Sequence, residues 1–261
     1  MIHAAVLGSP ISHSLSPLLH NKAYSLLGIE GEYVACEVKE RELHNFLITN
    51  SERFSAYSLT MPLKEEGLKE CVELSADATL LNAVNTLTSG FSGFKGDNTD
   101  VLGFEYLLKK INVDEVTILG GGGTAKAALL ASRRHGFKNQ IFRRSSKRDR
   151  ELIQIDPTVT IRDWDQFDFS KGIEVLINAT PTGAISSNGV VGASIVIDSL
   201  YHPWPSTLLS MTPTGKTKFT GLHLLAAQAS YQIELMARVK VSHEDLIPEL
   251  TNFALSHINS N

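Results

Sequence analysis

Short apolar runs alternate along this chain with segments of helical period. The run IHAAVLG (2–8) predicts a strand. SPLLHNKAYSLLG (16–28) predicts a helix, with Ser16 as its N-cap, Pro17 in the first turn and Gly28 as its stop. GEYVACEV (31–38) reads as a strand, KERELHNFLI (39–48) as a helix and FSAYSLT (54–60) as a strand. KEEGLKECV (64–72) and ELSADATLLNA (73–83) predict short helices, and VNTLTS (84–89) a strand. TDVLGFEYLLKK (99–110) is helical, EVTILG (115–120) a strand, TAKAALLASRRHG (124–136) a helix and NQIFRR (139–144) a strand. EVLINAT (174–180) and ASIVIDSL (193–200) are later strands. The chain closes on two helical patterns, 222–237 and 242–258.

Strands alternating with helices argue for parallel α/β units. The alternation starts twice, at residue 2 and again at Val116. The expected organisation is therefore α/β with two domains. An N-terminal α/β substrate domain spans 1–100, and a Rossmann-type, doubly wound parallel sheet spans 101–221. The helices of about 222–261 pack back on the first domain.

Composition narrows the function classes. The chain has 261 residues, 43% hydrophobic and 20% charged, with a formal net charge of −4. That balance offers no global attraction for nucleic acid or an anionic membrane. No run approaches the ~18 apolar residues of a bilayer span. The opening MIHAAVLGSPISHS lacks a basic n-region, so a cytoplasmic chain is expected. Two cysteines, Cys36 and Cys71, make no disulfide framework, and nine histidines show no metal-ligand spacing. No metal site is expected.

The most specific local signal lies at Val116–Leu130, VTILGGGGTAKAALL. Gly120-Gly121-Gly122-Gly123-Thr124-Ala125 fits G-x-G-x-x-[G/A] between a predicted strand and a predicted helix. The first glycine makes the tight turn, the second lets the backbone approach a pyrophosphate, and the third small residue packs helix on strand. An NAD site would then carry an acid about 20 residues on. Here the chain reads Arg143, Arg144, Ser145, Ser146, Lys147, Arg148, with no acid until Asp149. Guanidinium and hydroxyl groups suit a ribose 2′-phosphate, which points to NADP and to hydride transfer.

The first domain carries polar clusters in its loops. SPISHSLSPLLHN holds Ser14 and Ser16, SLTMPLK holds Thr60 and Lys64, NAVNTL holds Asn85, and GFKGDNTD holds Asp100. Lysine and aspartate on loops at strand ends can form a proton-transfer pair. From spacing alone, Lys64 reads better as a surface lysine, and Ser14 equally well as part of an ordinary capping loop.

Taken in order, these segments resemble the shikimate dehydrogenase family over nearly the whole chain. GSPISHSLSPLLHN is similar to the family's shikimate-binding opening, SLTMPLK to its NVTxPHK, NAVNT and GDNTD to its substrate loops, and GGGGTAKA to its GAGGAARA. FRRSSK lies where the family writes NRTxxK, and INATPTG, DSLYHPWPSTLL and GLHLLAAQA complete the series. The resemblance implies NADP-dependent, reversible reduction of 3-dehydroshikimate to shikimate in aromatic amino-acid biosynthesis. It implies Lys64 as the catalytic lysine and Asp100 as its partner. It implies substrate contacts from Ser14, Ser16, Thr60, Asn85 and Gln228, with Tyr201 near the cleft between the domains. NADP would be held by Gly120 to Ala125, Arg144, Arg143 and Lys147, and flanked by Asn178 and Thr180. The implied partner is a small molecule, the chain acting as monomer or homodimer. Ser58, Leu59, Leu63 and Arg143 depart from the family's Asn, Val, His and Asn. A quinate-using relative and a non-catalytic NADPH-binding regulator on the same scaffold are the rival readings.

Overall fold

A computed structural model describes residues 1–186 and 189–260. The chain divides into two units, Met1–Thr99 with Leu225–Asn261, and Asp100–Leu224.

The first unit opens with β1 (Ile2–Gly8), α1 (Ser16–Leu27), β2 (Gly31–Glu37), α2 (Leu43–Thr49) and β3 (Ala56–Leu59). After a 3₁₀ turn at Glu66–Glu70 come β4 (Cys71–Leu74), α3 (Ala76–Leu81), β5 (Thr86–Ser89) and β6 (Phe94–Asp97). The sheet runs β2-β1-β3-β5-β6-β4. It is mixed and not parallel throughout, because β5 pairs antiparallel with both β3 and β6. The cause is local: a glycine-bounded turn joins β5 to β6, with Gly90 N–H donating to Gly93 O at 2.7 Å. So short a connection can only reverse the chain. The helix expected over 64–72 is instead a 3₁₀ turn followed by β4, whose Cys71 registers with Phe94 of β6. Tyr57 centres the apolar core, meeting Phe46, Phe54 and Phe94 edge-on. Gly28 ends α1 in the left-handed region, as its position in the sequence suggests.

The chain passes from one unit to the other along α4 (Thr99–Leu108) and returns along α8 (Gly221–Ala237), which is followed by α9 (His243–Ser260). Between them lie β7 (Glu115–Leu119), α5 (Gly123–Arg134), β8 (Lys138–Arg143), a 3₁₀ turn at Ser146–Arg148, α6 (Asp149–Ile155), β9 (Thr160–Asp163), β10 (Ile173–Asn178), β11 (Ala193–Asp198), α7 (Thr207–Met211) and β12 (Thr217–Phe219). These six strands are all parallel, in the order β12-β11-β10-β7-β8-β9. That is the doubly wound Rossmann order, and it reverses between β7 and β10. Neighbouring runs of apolar residues fill its interior, with Leu119, Phe142, Leu176 and Val196 in one cluster.

Candidate active site

In the first unit the sequence-predicted residues gather at one end of the sheet. Ser9 N–H donates to Met61 O at 3.0 Å, and Thr60 N–H to Leu7 O at 2.9 Å, which lays the loop after β1 against the loop after β3. Gly8 is required there, because a Cβ would stand 2.3 Å from Thr60 Cγ2 and 2.9 Å from Met61 O. Lys64 is fixed by its carbonyl, which accepts from Val84 N–H at 2.8 Å and so places it beside Asn85. Ser16 is not the N-cap of α1. It is the first helical residue and buried, and its N–H donates to Ser14 Oγ at 3.3 Å. Pro17 follows it, so the helix starts one residue earlier than Ser16 as cap would require.

Asn85 is buried and heavily bonded. Its Oδ1 accepts from Thr99 N–H and from Thr86 Oγ1–H, both at 2.8 Å, and its Nδ2 donates to Thr99 Oγ1 at 3.1 Å. Gln228, in α8, donates to Leu225 O at 3.0 Å and lies 3.5 Å from Thr99 Oγ1. Asp100 follows Thr99 in the first turn of α4, where it is buried. Tyr201 lies in the other unit, after β11, half-buried.

One residue that sequence reasoning missed ties this cluster together. Gln232, one turn beyond Gln228, is buried and uses its whole amide. Its Nε2 donates to Asn85 O at 3.1 Å and to Thr86 Oγ1 at 3.0 Å. Its Oε1 accepts from Ser58 Oγ–H at 2.9 Å and faces His20 Nε2 at 3.3 Å. Both amide hydrogens are thereby used, so His20 must carry its proton on Nε2. Tyr33 completes the group, donating to Ser58 Oγ at 2.5 Å and stacking on His20 with ring centres 3.8 Å apart. Burial drives the His20 pKa down to about 3, against a weaker opposing pull from Gln232. The only sequence hint was the pair of glutamines at a spacing of four on one helix.

The second unit places the glycine turn at the β7 end. Gly120 has φ +119°, and a Cβ there would stand 2.7 Å from Ala179 O. Both facts demand glycine. Gly122 precedes α5, and Gly123 and Thr124 open it, with Ala125 buried against the sheet. A Cβ on Gly123 would meet nothing within 4 Å, and one on Gly122 only Arg148 Nη1 at 4.0 Å. The turn therefore leaves open space before the first free N–H groups of a twelve-residue helix, a setting for phosphate. Across the strand-order reversal, Asn178 ends β10 and Thr180 lies just beyond it. They bond to each other and, through Asn178 Nδ2 at 2.9 Å, to buried Asp198. Burial raises the Asp198 pKa, while bonds from Ser206, Leu200 and Asn178 hold it back. Asn178 and Thr180 thus shape the wall of the reversal through their own network.

The basic segment after β8 departs from expectation at Arg143. Arg143, expected on the 2′-phosphate, is engaged with carboxylates. Its Nε and Nη2 donate to the two oxygens of Asp149, each at 2.7 Å, and its Nη1 pairs with Asp163. Lys147 is exposed in the 3₁₀ turn, whereas Arg148, which was not singled out, is the residue beside Gly122. Arg144 is exposed, donates to Ala184 O at 3.0 Å and stands 5.3 Å over the Trp164 ring.

Comparison with known proteins agrees with this geometry. The model of the shikimate dehydrogenase substrate binding domain matches residues 6–87. A shikimate dehydrogenase (NADP(+)) of Methanococcoides burtonii is 33% identical over 240 residues, covering 87% of this chain and 88% of that protein. The chain belongs to the shikimate dehydrogenase family. The family's fold extends over nearly the whole chain. The shikimate dehydrogenase of Mycobacterium tuberculosis superposes with a TM-score of 0.86 at 27% identity, covering 97% of this chain and 99% of that one. The Thermus thermophilus enzyme, solved with NADP(H) and shikimate, gives 0.81 at 27% identity, covering 97% and 100%. Among the described residues no helix is long and apolar enough to cross a membrane, and no group of His, Cys, Asp or Glu is placed to hold a metal ion.

Proposed function

We propose that this chain is an NADP-dependent shikimate dehydrogenase that interconverts 3-dehydroshikimate and shikimate. The observation that carries the reading is the polar cluster of the first unit. Asn85, Thr99 and Gln228, scattered through the sequence, are joined by side-chain bonds, and backbone bonds through Leu7 and Val84 bring Thr60 and Lys64 to the same end of the sheet. Such a set of neutral donors and acceptors, with a lysine on the adjoining loop, suits a small polyhydroxylated acid.

The second unit fits NADP by its own chemistry. Gly120 to Ala125 and the N-terminus of α5 would hold the pyrophosphate. Arg144 and Arg148, with exposed Lys147, would hold the 2′-phosphate where an NAD site carries an acid. When bound, the cofactor would supply the hydride as NADPH and accept it as NADP in the reverse direction. The remaining chemistry falls to this chain's residues. Lys64, as an ammonium, donates a proton to the carbonyl oxygen of 3-dehydroshikimate as charge develops there, and takes it back from the shikimate hydroxyl in reverse. Asp100 accepts a hydrogen bond from a substrate hydroxyl and orients the lysine. Ser14, Ser16, Thr60, Asn85 and Gln228 orient the carboxylate and the other hydroxyls. The reading carries with it a cytoplasmic place, with the chain working as a monomer or homodimer on a small-molecule substrate.

The test follows NADPH absorbance with shikimate, quinate and no substrate, each with NADP and with NAD. Lys64→Ala should lower turnover roughly 10²–10⁴-fold while NADP still binds. Near-normal turnover of that variant at saturation would remove Lys64 from the mechanism. Quinate outperforming shikimate would reassign the substrate.

A further inference from the structure

The basic loop that would grip the 2′-phosphate is fastened at both of its ends. Arg143 is the last residue of β8 and Asp149 the first of α6, and the five residues between them include Arg144, Lys147 and Arg148. The Arg143–Asp149 pair is bidentate, both bonds at 2.7 Å, so it closes the loop as a rigid two-point fork. Arg143 is only 12% exposed. Its third bond goes to Asp163, its register partner on neighbouring β9. Inside the loop, Ser145 Oγ accepts from Lys147 N–H at 3.4 Å and caps the 3₁₀ turn.

The start of the loop also lies beside the glycine turn. The Arg143 Cβ stands 3.5 Å from where a Gly121 Cβ would lie. A second ion pair holds α6 to the first turn of α5: Lys126, fully buried, donates from Nζ to Glu151 Oε2 at 2.8 Å. One guanidinium with two carboxylates carries a net charge of −1, so Arg143 and its partners add no attraction for an anion. The positive field comes from Arg144, Lys147 and Arg148, and its shape comes from the fork.

We propose that Arg143 is a positioning residue for cofactor specificity: through Asp149 it holds the loop of residues 144–148 in the form that takes a ribose 2′-phosphate, and it is not itself the phosphate's ligand. The inference rests on the NADP reading above. A loop already ordered loses less freedom on binding than one ordered by its ligand.

The experiment is calorimetric titration of the purified protein with 2′,5′-ADP and with 5′-AMP, which differ only in the 2′-phosphate. The proteins are wild type, Arg143→Met, Asp149→Asn, the double variant, Asp163→Asn and Arg144→Ala. Arg143→Met and Asp149→Asn should each weaken 2′,5′-ADP by roughly tenfold to a hundredfold and leave 5′-AMP within about twofold. The double variant should be no weaker than either single one, because both break the same fork. Asp163→Asn, whose carboxylate is mostly exposed, should change little. The decisive comparison is Asp149→Asn. If Arg143 were the ligand, removing its competing carboxylate would preserve or tighten 2′,5′-ADP binding, and that result overturns the inference. Equal losses for both nucleotides, or no loss in either single variant, overturn it as well. A wild-type protein that fails to prefer 2′,5′-ADP over 5′-AMP would instead sink the NADP reading, and Arg144→Ala reports on that reading separately.

Discussion

Replacing Gln232 by leucine puts a number on the network beneath the substrate cluster. The amide makes four polar contacts, but they are not equally exposed to its loss. Asn85 O keeps a second donor in Leu59 N–H at 2.8 Å. Thr86 Oγ1 keeps its own acceptor in Asn85 Oδ1 at 2.8 Å. Ser58 Oγ–H and His20 Nε2–H lose the acceptor at 2.9 and 3.3 Å and have no water-filled surface nearby, since both residues are buried. A buried donor left unpaired costs about 1–3 kcal/mol, so two give roughly 2–6 kcal/mol, less what the added apolar contact returns. Unfolding in urea, followed by far-UV circular dichroism, should show a lower midpoint with an unchanged slope. Kinetically the variant should raise the Michaelis constant for shikimate, because Gln232 holds the Asn85 backbone and shares α8 with Gln228. NADP dissociation should stay as it is, since the glycine turn and basic loop belong to the other unit. A variant within about 0.5 kcal/mol of wild type, with an unaltered shikimate constant, would refute the reasoning, for that is the range of an ordinary surface change.

His20 makes stability depend on pH with a definite sign. Its pKa is lowered by burial to about 3, so between that value and about 6.5 the unfolded chain binds one more proton than the folded one. This contribution is present in full above about pH 6.5 and is lost as pH falls, by up to ~1.4 kcal/mol per pH unit. His20→Phe, which can keep the stack on Tyr33, should flatten the slope of unfolding free energy between pH 6 and 4; an unchanged slope in denaturant titrations would assign the acid sensitivity elsewhere. Gly120→Ala meets both a positive φ and the Ala179 carbonyl, so it should abolish measurable NADP binding and cost about 1–3 kcal/mol of stability. An alanine variant that binds NADP normally, in a fluorescence titration, would show that the turn relaxes without penalty.

What the sequence by itself determined is local chemistry with a strong pattern. The glycine turn was legible because its demands are backbone demands, met within a few residues of Gly120. The absence of an acid after β8 was legible because it is a matter of residue type. Short, largely apolar runs such as Val116–Leu119, interrupted only by Thr117, and Val175–Ile177 announced the parallel sheet, since strands covered on both faces are mostly apolar. Tertiary structure alone decided what depends on partners distant in the chain. The strands β4, β9 and β12 are four, four and three residues long, too short to carry a period, and exist only because a neighbour supplies their hydrogen bonds. Ser16 looked like a cap because serine before proline usually is one, yet Ser14 reaches its N–H first. Arg143 and Arg144 are adjacent and identical in type. Only the fold, by bringing Asp149 and Asp163 to the first and the Trp164 ring to the second, separates a fastener from a candidate phosphate ligand. Gln232 likewise gains its place from His20, Ser58 and Asn85, residues more than a hundred positions away in sequence, which meet only when α8 lies across the sheet. Hydrogen bonds and ion pairs act over about 3 Å in space, so residues far apart in the chain find their roles only once folding has set those distances.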